Sequence, residues 1–154
     1  MSFIDKNLLP DETILFRTKK HLIIFLLPVI LVIIAIYAFN FMRYNSILAI
    51  VDWVPLLIAF LVISHVGLDY WTSEYAVTNK RVMMREGFFV RHSNEMRLNA
   101  ISQVNVDQTL IGQVFDYGIV SINAFGAFDA YPMIAHPSLF QKYVNEQMDK
   151  KLSP

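Results

Sequence analysis

The chain has 154 residues, length for one compact domain, yet 55% are apolar and only 17% charged, with a mean hydropathy of +0.43, which argues against an ordinary water-soluble globule. Thirteen basic residues balance thirteen acidic ones for a net charge of +0, so no global field recruits nucleic acid. The absence of cysteine excludes disulfides, thiolate metal sites and cysteine nucleophiles.

Residues 1–21 form a polar N-terminal segment, expected on the cytoplasmic side. Within it, Thr13 to Lys20 sets Ile14, Phe16 and Thr18 against Thr13, Leu15 and Arg17, a strand alternation able to dock on the edge of a following domain. A two-helix transmembrane hairpin is predicted over residues 22–68. Its first span, Leu22 to Met42, carries no charge and measures about 31 Å as a helix, against a hydrocarbon core of roughly 30 Å. It is longer than a signal-peptide core and lacks a small-residue cleavage pattern, so it should remain in the mature protein. Pro28 predicts a mild kink.

Arg43, Tyr44, Asn45 and Ser46 are too few to form a domain, so the second span must return antiparallel. It starts either at Ile47, which includes Asp52, or at Trp53, and it ends at Leu68. Asp52 is placed at the interface beside Trp53, with Tyr70 and Trp71 as the aromatic belt at the other end. Lys6, Arg17, Lys19 and Lys20 precede the hairpin and Lys80, Arg81 and Arg85 follow it, whereas the connection holds only Arg43. This asymmetry puts both chain ends in the cytoplasm.

Residues 69–154 are expected to form one small domain lying against the membrane surface, since almost no linker separates it from the hairpin. Tyr75 and Val77 start a strand that turns at Thr78-Asn79-Lys80, with Arg81 to Arg85 as its partner and Glu86-Gly87 as the next turn. Val90 to Leu98, Ile101 to Val106, Ile119 to Ala124 and Tyr131 to Ala135 supply further strands, with Phe125-Gly126-Ala127 as a turn. From Pro137 the period changes. Leu139, Phe140, Tyr143, Val144 and Met148 mark one face of a C-terminal helix whose last turn carries Lys150 and Lys151.

The series Tyr75-x-Val77-Thr78-Asn79-x-Arg81-Val82, Gly87, Met96-x-Leu98-x-x-Ile101-x-x-Val104-x-Val106-x-Gln108, Ile111-Gly112-x-Val114-Phe115-x-Tyr117-Gly118-x-Val120-x-Ile122 and Pro137-x-x-Phe140 resembles the bacterial pleckstrin-homology (PH)-like domain. Preceded by Leu9-Pro10-Asp11-Glu12-x-Ile14-Leu15 and two spans, it is similar in layout to the YdbS-like membrane-anchored family. The resemblance implies a membrane α-helical hairpin plus an α+β unit, a PH-like partly open antiparallel β-barrel capped by a C-terminal helix. It implies no catalytic activity and places the protein in a bacterial inner membrane.

Lys80, Arg81, Arg85, Arg91 and Arg97, with His92, Glu86 and Glu95 among them, make a locally basic region that fits either anionic lipid head groups or a solvated hairpin face. Phe125, Phe128 and Tyr131 concentrate aromatic surface near a hairpin tip, where rings contact a partner or the membrane interface. His65 and Asp69 share one face of the second helix and fit an interfacial hydrogen-bonded pair or a proton relay or metal site; Asp52 is likewise interfacial. His136 precedes the C-terminal helix. No nucleophile motif, phosphate loop or metal-spaced cluster is present, so no cofactor or metal is expected. The leading reading is a non-enzymatic interaction module, an accessory or scaffolding subunit that binds other membrane proteins or a second copy of itself. The alternatives are a sensor of anionic lipid and a membrane enzyme or small transporter using His65, Asp69 and Asp52.

Overall fold

Period-two apolar patterning broken by Gly, Asn and Asp lays down seven strands among the residues described by this computed structural model, which are 3–44, 50–88 and 92–152. Asn45, Ser46, Ile47, Val90 and Arg91 lie outside the described residues. Two compact units result, residues 1–21 together with 72–154, and residues 22–71.

In the first unit a short helix, α1 (Phe3–Lys6), precedes β1 (Ile14–Thr18). After the second unit come β2 (Glu74–Thr78), β3 (Arg81–Glu86) and β4 (His92–Arg97), which complete an antiparallel sheet in the order β1-β2-β3-β4. A 3-10 turn at Leu98–Ala100 leads to β5 (Ile101–Asp107), α4 (Leu110–Phe115), β6 (Tyr117–Ala124) and β7 (Ala127–Ala135), and the last three strands form a second antiparallel sheet. The prolongation of β1 joins the sheets: Lys20 bridges Ile134, the His21 N–H donates to the Met133 carbonyl at 2.6 Å, and the Ala135 N–H donates to that of Lys19 at 3.0 Å. Helix α5 (Pro137–Leu152) caps the resulting partly open barrel, with Phe140 and Val144 wholly buried in its core. The fold is α+β, PH-like.

β2 and β3 are buried on both faces, which explains their nearly unbroken apolar runs. Val77, Val82 and Met84 face the barrel core, while Ala76 and Met83 face a second cluster completed by Ile4 and Leu8 of the N-terminal segment. β7 begins at Ala127, four residues before the expected strand at Tyr131, because the β6–β7 connection is only Phe125-Gly126. Both have positive φ, 51° and 82°, the signature of the tight hairpin turn whose twist matches the strands.

In the second unit a 3-10 turn, Leu22–Phe25, runs into α2 (Leu26–Arg43), and α3 spans Val54–Thr72. Leu22–Arg43 and Val54–Thr72 are each long and apolar enough to cross a membrane. Pro28 falls in the first turn of α2, where its missing N–H removes no helical bond. Asp52 occupies the turn before α3, and the helix continues past Leu68 through Asp69, Tyr70 and Trp71. Phe25 meets Tyr70 edge to face at 5.4 Å, and the small residues Ala35 and Ala59 are buried, the residue type that lets apolar helices approach closely.

Candidate functional site

The register of β1 on β2, Thr18 opposite Tyr75 and Ile14 opposite Thr78, brings the two crossings between units to one end of the barrel. The chain leaves after His21 and returns at Thr72. The β2–β3 turn lies at the other end, about 20 Å further along the strands. The second sheet is aligned the same way. Tyr117 pairs with Ala135 at the crossing end, and Ala124 pairs with Ala127 at the distal end.

Three of the predicted basic residues gather at that distal end, and two of them are engaged by the N-terminal segment. Arg81 Nε donates to Glu12 Oε1 and Nη2 to Glu12 Oε2, both at 3.0 Å; Nη2 also donates to the Asn7 carbonyl at 2.6 Å, and Nη1 pairs with Glu95. Lys80 Nζ donates to the Pro10 carbonyl at 2.6 Å. Asn79 completes this clasp, accepting from the Thr13 N–H at 3.1 Å and donating to the Asp11 carbonyl at 3.1 Å. The Glu12 side chain is fully buried and also accepts from the Leu9 N–H at 2.7 Å and the Thr78 hydroxyl at 2.7 Å. Burial alone pushes its carboxyl up, but the Leu9 N–H, the Arg81 guanidinium and the Thr78 hydroxyl together outweigh that and hold it below its ordinary value.

Arg85 belongs elsewhere. It pairs in register with Ser93 and Glu74, about 13 Å from Arg81 along β3, and its guanidinium lies 4.1 Å from the centre of the Phe3 ring. Among the described basic residues, Lys80, Arg81 and Arg97 therefore share the distal end while Arg85 stands apart from them.

Around the clasp the distal surface is recessed. A cleft of about 690 Å³ is lined by Leu9, Lys80, Arg81, Glu95, Arg97 and Asn99. A neighbouring one of about 380 Å³ shares Glu95, Arg97 and Asn99 and reaches Phe125. Phe125 is 88% exposed, a bulky aromatic held in the left-handed region and offered to solvent, where Asn or Gly would fit without strain. Phe128 is exposed beside it. Tyr131, grouped with them on sequence as surface, is instead 5% exposed. Its ring stands edge to face with Tyr75 at 6.1 Å, and its hydroxyl accepts from Asn94 Nδ2 at 3.0 Å. Strand alternation carries Tyr131 inward, and burial raises its phenol to about 12, the Asn94 hydrogen bond lowering it and the Asp129 and Glu86 carboxylates adding to the rise.

His65 and Asp69 stand one turn apart on α3, while Asp52 lies some 13 to 17 positions away at the other end of that helix, about 20 Å or more. Among the described residues no group of three His, Cys, Asp or Glu is arranged to hold a metal ion. His136 precedes α5, where its carbonyl accepts from the Phe140 N–H at 3.1 Å, and its ring pairs with Asp116. Asn99, which also lines the distal clefts, was not singled out from the sequence, and Glu95 was noted there only as an acidic residue within the basic region. Only the Leu9-Pro10-Asp11-Glu12 string pointed to the segment that holds Leu9.

The family model for the bacterial PH domain matches residues 13–148, from the residue before β1 into α5. The chain belongs to the bacterial PH domain family. No curated protein and no solved structure is significantly similar to it. A bacterial PH domain is an interaction module and generally not a catalyst, and the match takes in β1 on the far side of the apolar helix pair, so the family's pattern runs through both segments of the first unit.

Proposed function

We propose that this bacterial PH domain protein is a membrane-anchored, non-catalytic interaction module of the YdbS-like type. In this reading α2 and α3 cross the bacterial inner membrane, residues 1–21 and 69–154 are cytoplasmic, and the distal surface docks a neighbouring protein, making the chain an accessory or scaffolding subunit. The observation that carries it is Phe125, exposed in a strained turn beside clefts containing Arg97 and Glu95. An aromatic anchor next to charged groups of both signs is the composition of a protein-docking patch. The placement of Lys and Arg around the helix pair supports the cytoplasmic orientation.

Gentle detergent extraction followed by native mass analysis tests the proposal. The expected result is a heteromeric particle that disappears in the Phe125→Asp and Arg97→Glu variants. A strictly monomeric native protein, or a complex unchanged in both variants, overturns it. The anionic-lipid reading is disfavoured because Lys80 and Arg81 are committed to Pro10, Glu12 and Glu95.

A further inference from the structure

At the crossing end of the barrel, α4 displays an unusual surface. Leu110, Ile111, Val114 and Phe115 are all exposed, Leu110 at 82% and Val114 at 79%. At about 100° per residue they fill an arc of about 140°, with no charge among them. The helix is built to hold this arc outward. The Thr109 hydroxyl caps it by accepting from the Gly112 N–H at 3.1 Å, and Asp116 ends it at φ 56°. Gly112 is buried, so close to β6 that an added Cβ would stand 2.5 Å from the Tyr117 carbonyl oxygen. Exposed Ile119, Met133 and Phe88 belong to the same end, since β6 begins there, β7 finishes there and β3 ends there at Glu86.

The position of the chain crossing identifies what covers this surface. His21, the last residue before the Leu22–Arg43 apolar helix, stacks on Tyr117 at 5.3 Å and 26°, one residue beyond the end of α4 at Asp116. We infer that α4 is an interfacial lipid-contacting element whose Leu110, Ile111, Val114 and Phe115 enter the head-group and upper acyl region of the leaflet. Apolar side chains displayed beside a span's entry gain by burial at the boundary of head groups and acyl chains. The inference rests on the reading that α2 and α3 cross a bilayer. It also assigns opposite roles to the ends of the barrel, lipid contact at α4 and protein contact at Phe125.

The chain has no cysteine, so single-cysteine variants of the full protein can carry an environment-sensitive fluorophore in vesicles of phosphatidylethanolamine and phosphatidylglycerol containing doxyl-labelled lipids. Labels at Val114, Gln113, Phe125 and Ile33 form the set. The expected result is deep quenching at Ile33, shallow quenching at Val114 exceeding that at Gln113, and no lipid quenching at Phe125. Quenching at Ile33 without quenching at Val114 overturns the α4 inference alone, whereas loss at both sites overturns the membrane reading beneath it. Equal quenching at Val114 and Gln113 shows the dye driving insertion and also overturns the inference. A Val114 label shielded from aqueous iodide yet untouched by lipid quenchers identifies a second copy or another protein as the occupant and has the same effect.

Discussion

Glu12 and Arg81, 69 positions apart, meet as a two-pronged ion pair in which Nε reaches Oε1 and Nη2 reaches Oε2 at 3.0 Å each. The Glu12 side chain is fully buried and that of Arg81 is 13% exposed, so the carboxylate has no water to fall back on. Removing Arg81 leaves the buried Glu12 carboxylate without its cation. Arg81→Met is expected to cost about 3 kcal/mol, and the double variant Glu12→Gln/Arg81→Met is expected to recover part of that loss. Urea unfolding in detergent measures both variants against the native protein. Equal stability of the single and double variants would contradict the pairing.

The same carboxyl makes the clasp acid-sensitive. Its pKa is lowered on folding from an ordinary value of 4.5, so the unfolded chain binds the proton more readily. The stabilisation is complete above the ordinary value and is lost as pH falls through the lowered native one. Thermal melts between pH 6 and 2 should therefore show the native protein losing stability at the acid end, with Glu12→Gln showing a shallower decline.

Tyr131 titrates in the opposite sense. With its native phenol raised to about 12 from 10.0, stability tied to this group is present below pH 10 and declines as pH rises towards 12. Among seven tyrosines, one ultraviolet step is expected to lag the rest, and Tyr131→Phe should abolish the lagging step. If the lagging step survives that substitution, it belongs to another tyrosine.

Phe16 on β1 stacks on Tyr143 at 5.1 Å and 14°, and meets Phe140 edge-on at 6.4 Å. Phe16→Ala is expected to cost about 3 kcal/mol by opening a cavity under α5. A residual chain without residues 1–21 should show a larger loss, read from the cooperativity of its melt.

Gly112→Ala forces a methyl against backbone, the Tyr117 carbonyl oxygen, at 2.5 Å. A shift of α4 costing about 1–3 kcal/mol is expected, whereas Gly126→Asn at the distal turn, with open space around it and φ 82°, should stay within about 0.5 kcal/mol.

The strands and α5 were legible because their apolar residues point inward with a regular period, as at Val104 and Ile122 or at Phe140 and Val144. Helix α4 was not, since its apolar residues point outward and Gly112, a poor helix former, sits at its centre. The basic residues were visible as a group, but their partners Pro10 and Glu12 precede the apolar helix pair, and no local pattern ties positions 69 or 70 apart. Tyr131 was misplaced because a tip drawn three residues wide hid the alternation that starts at Ala127.

Placing the helix pair between the first strand and the second sets an order of events during synthesis. β1 leaves the ribosome 55 residues before β2, an interval of roughly 3–11 s at about 5–20 residues per second. For that time its backbone donors and acceptors wait for a neighbour that is synthesised only after both apolar helices. The first sheet therefore cannot close until the whole helix pair has been made, and the two stretches of the first unit become one body only at that moment.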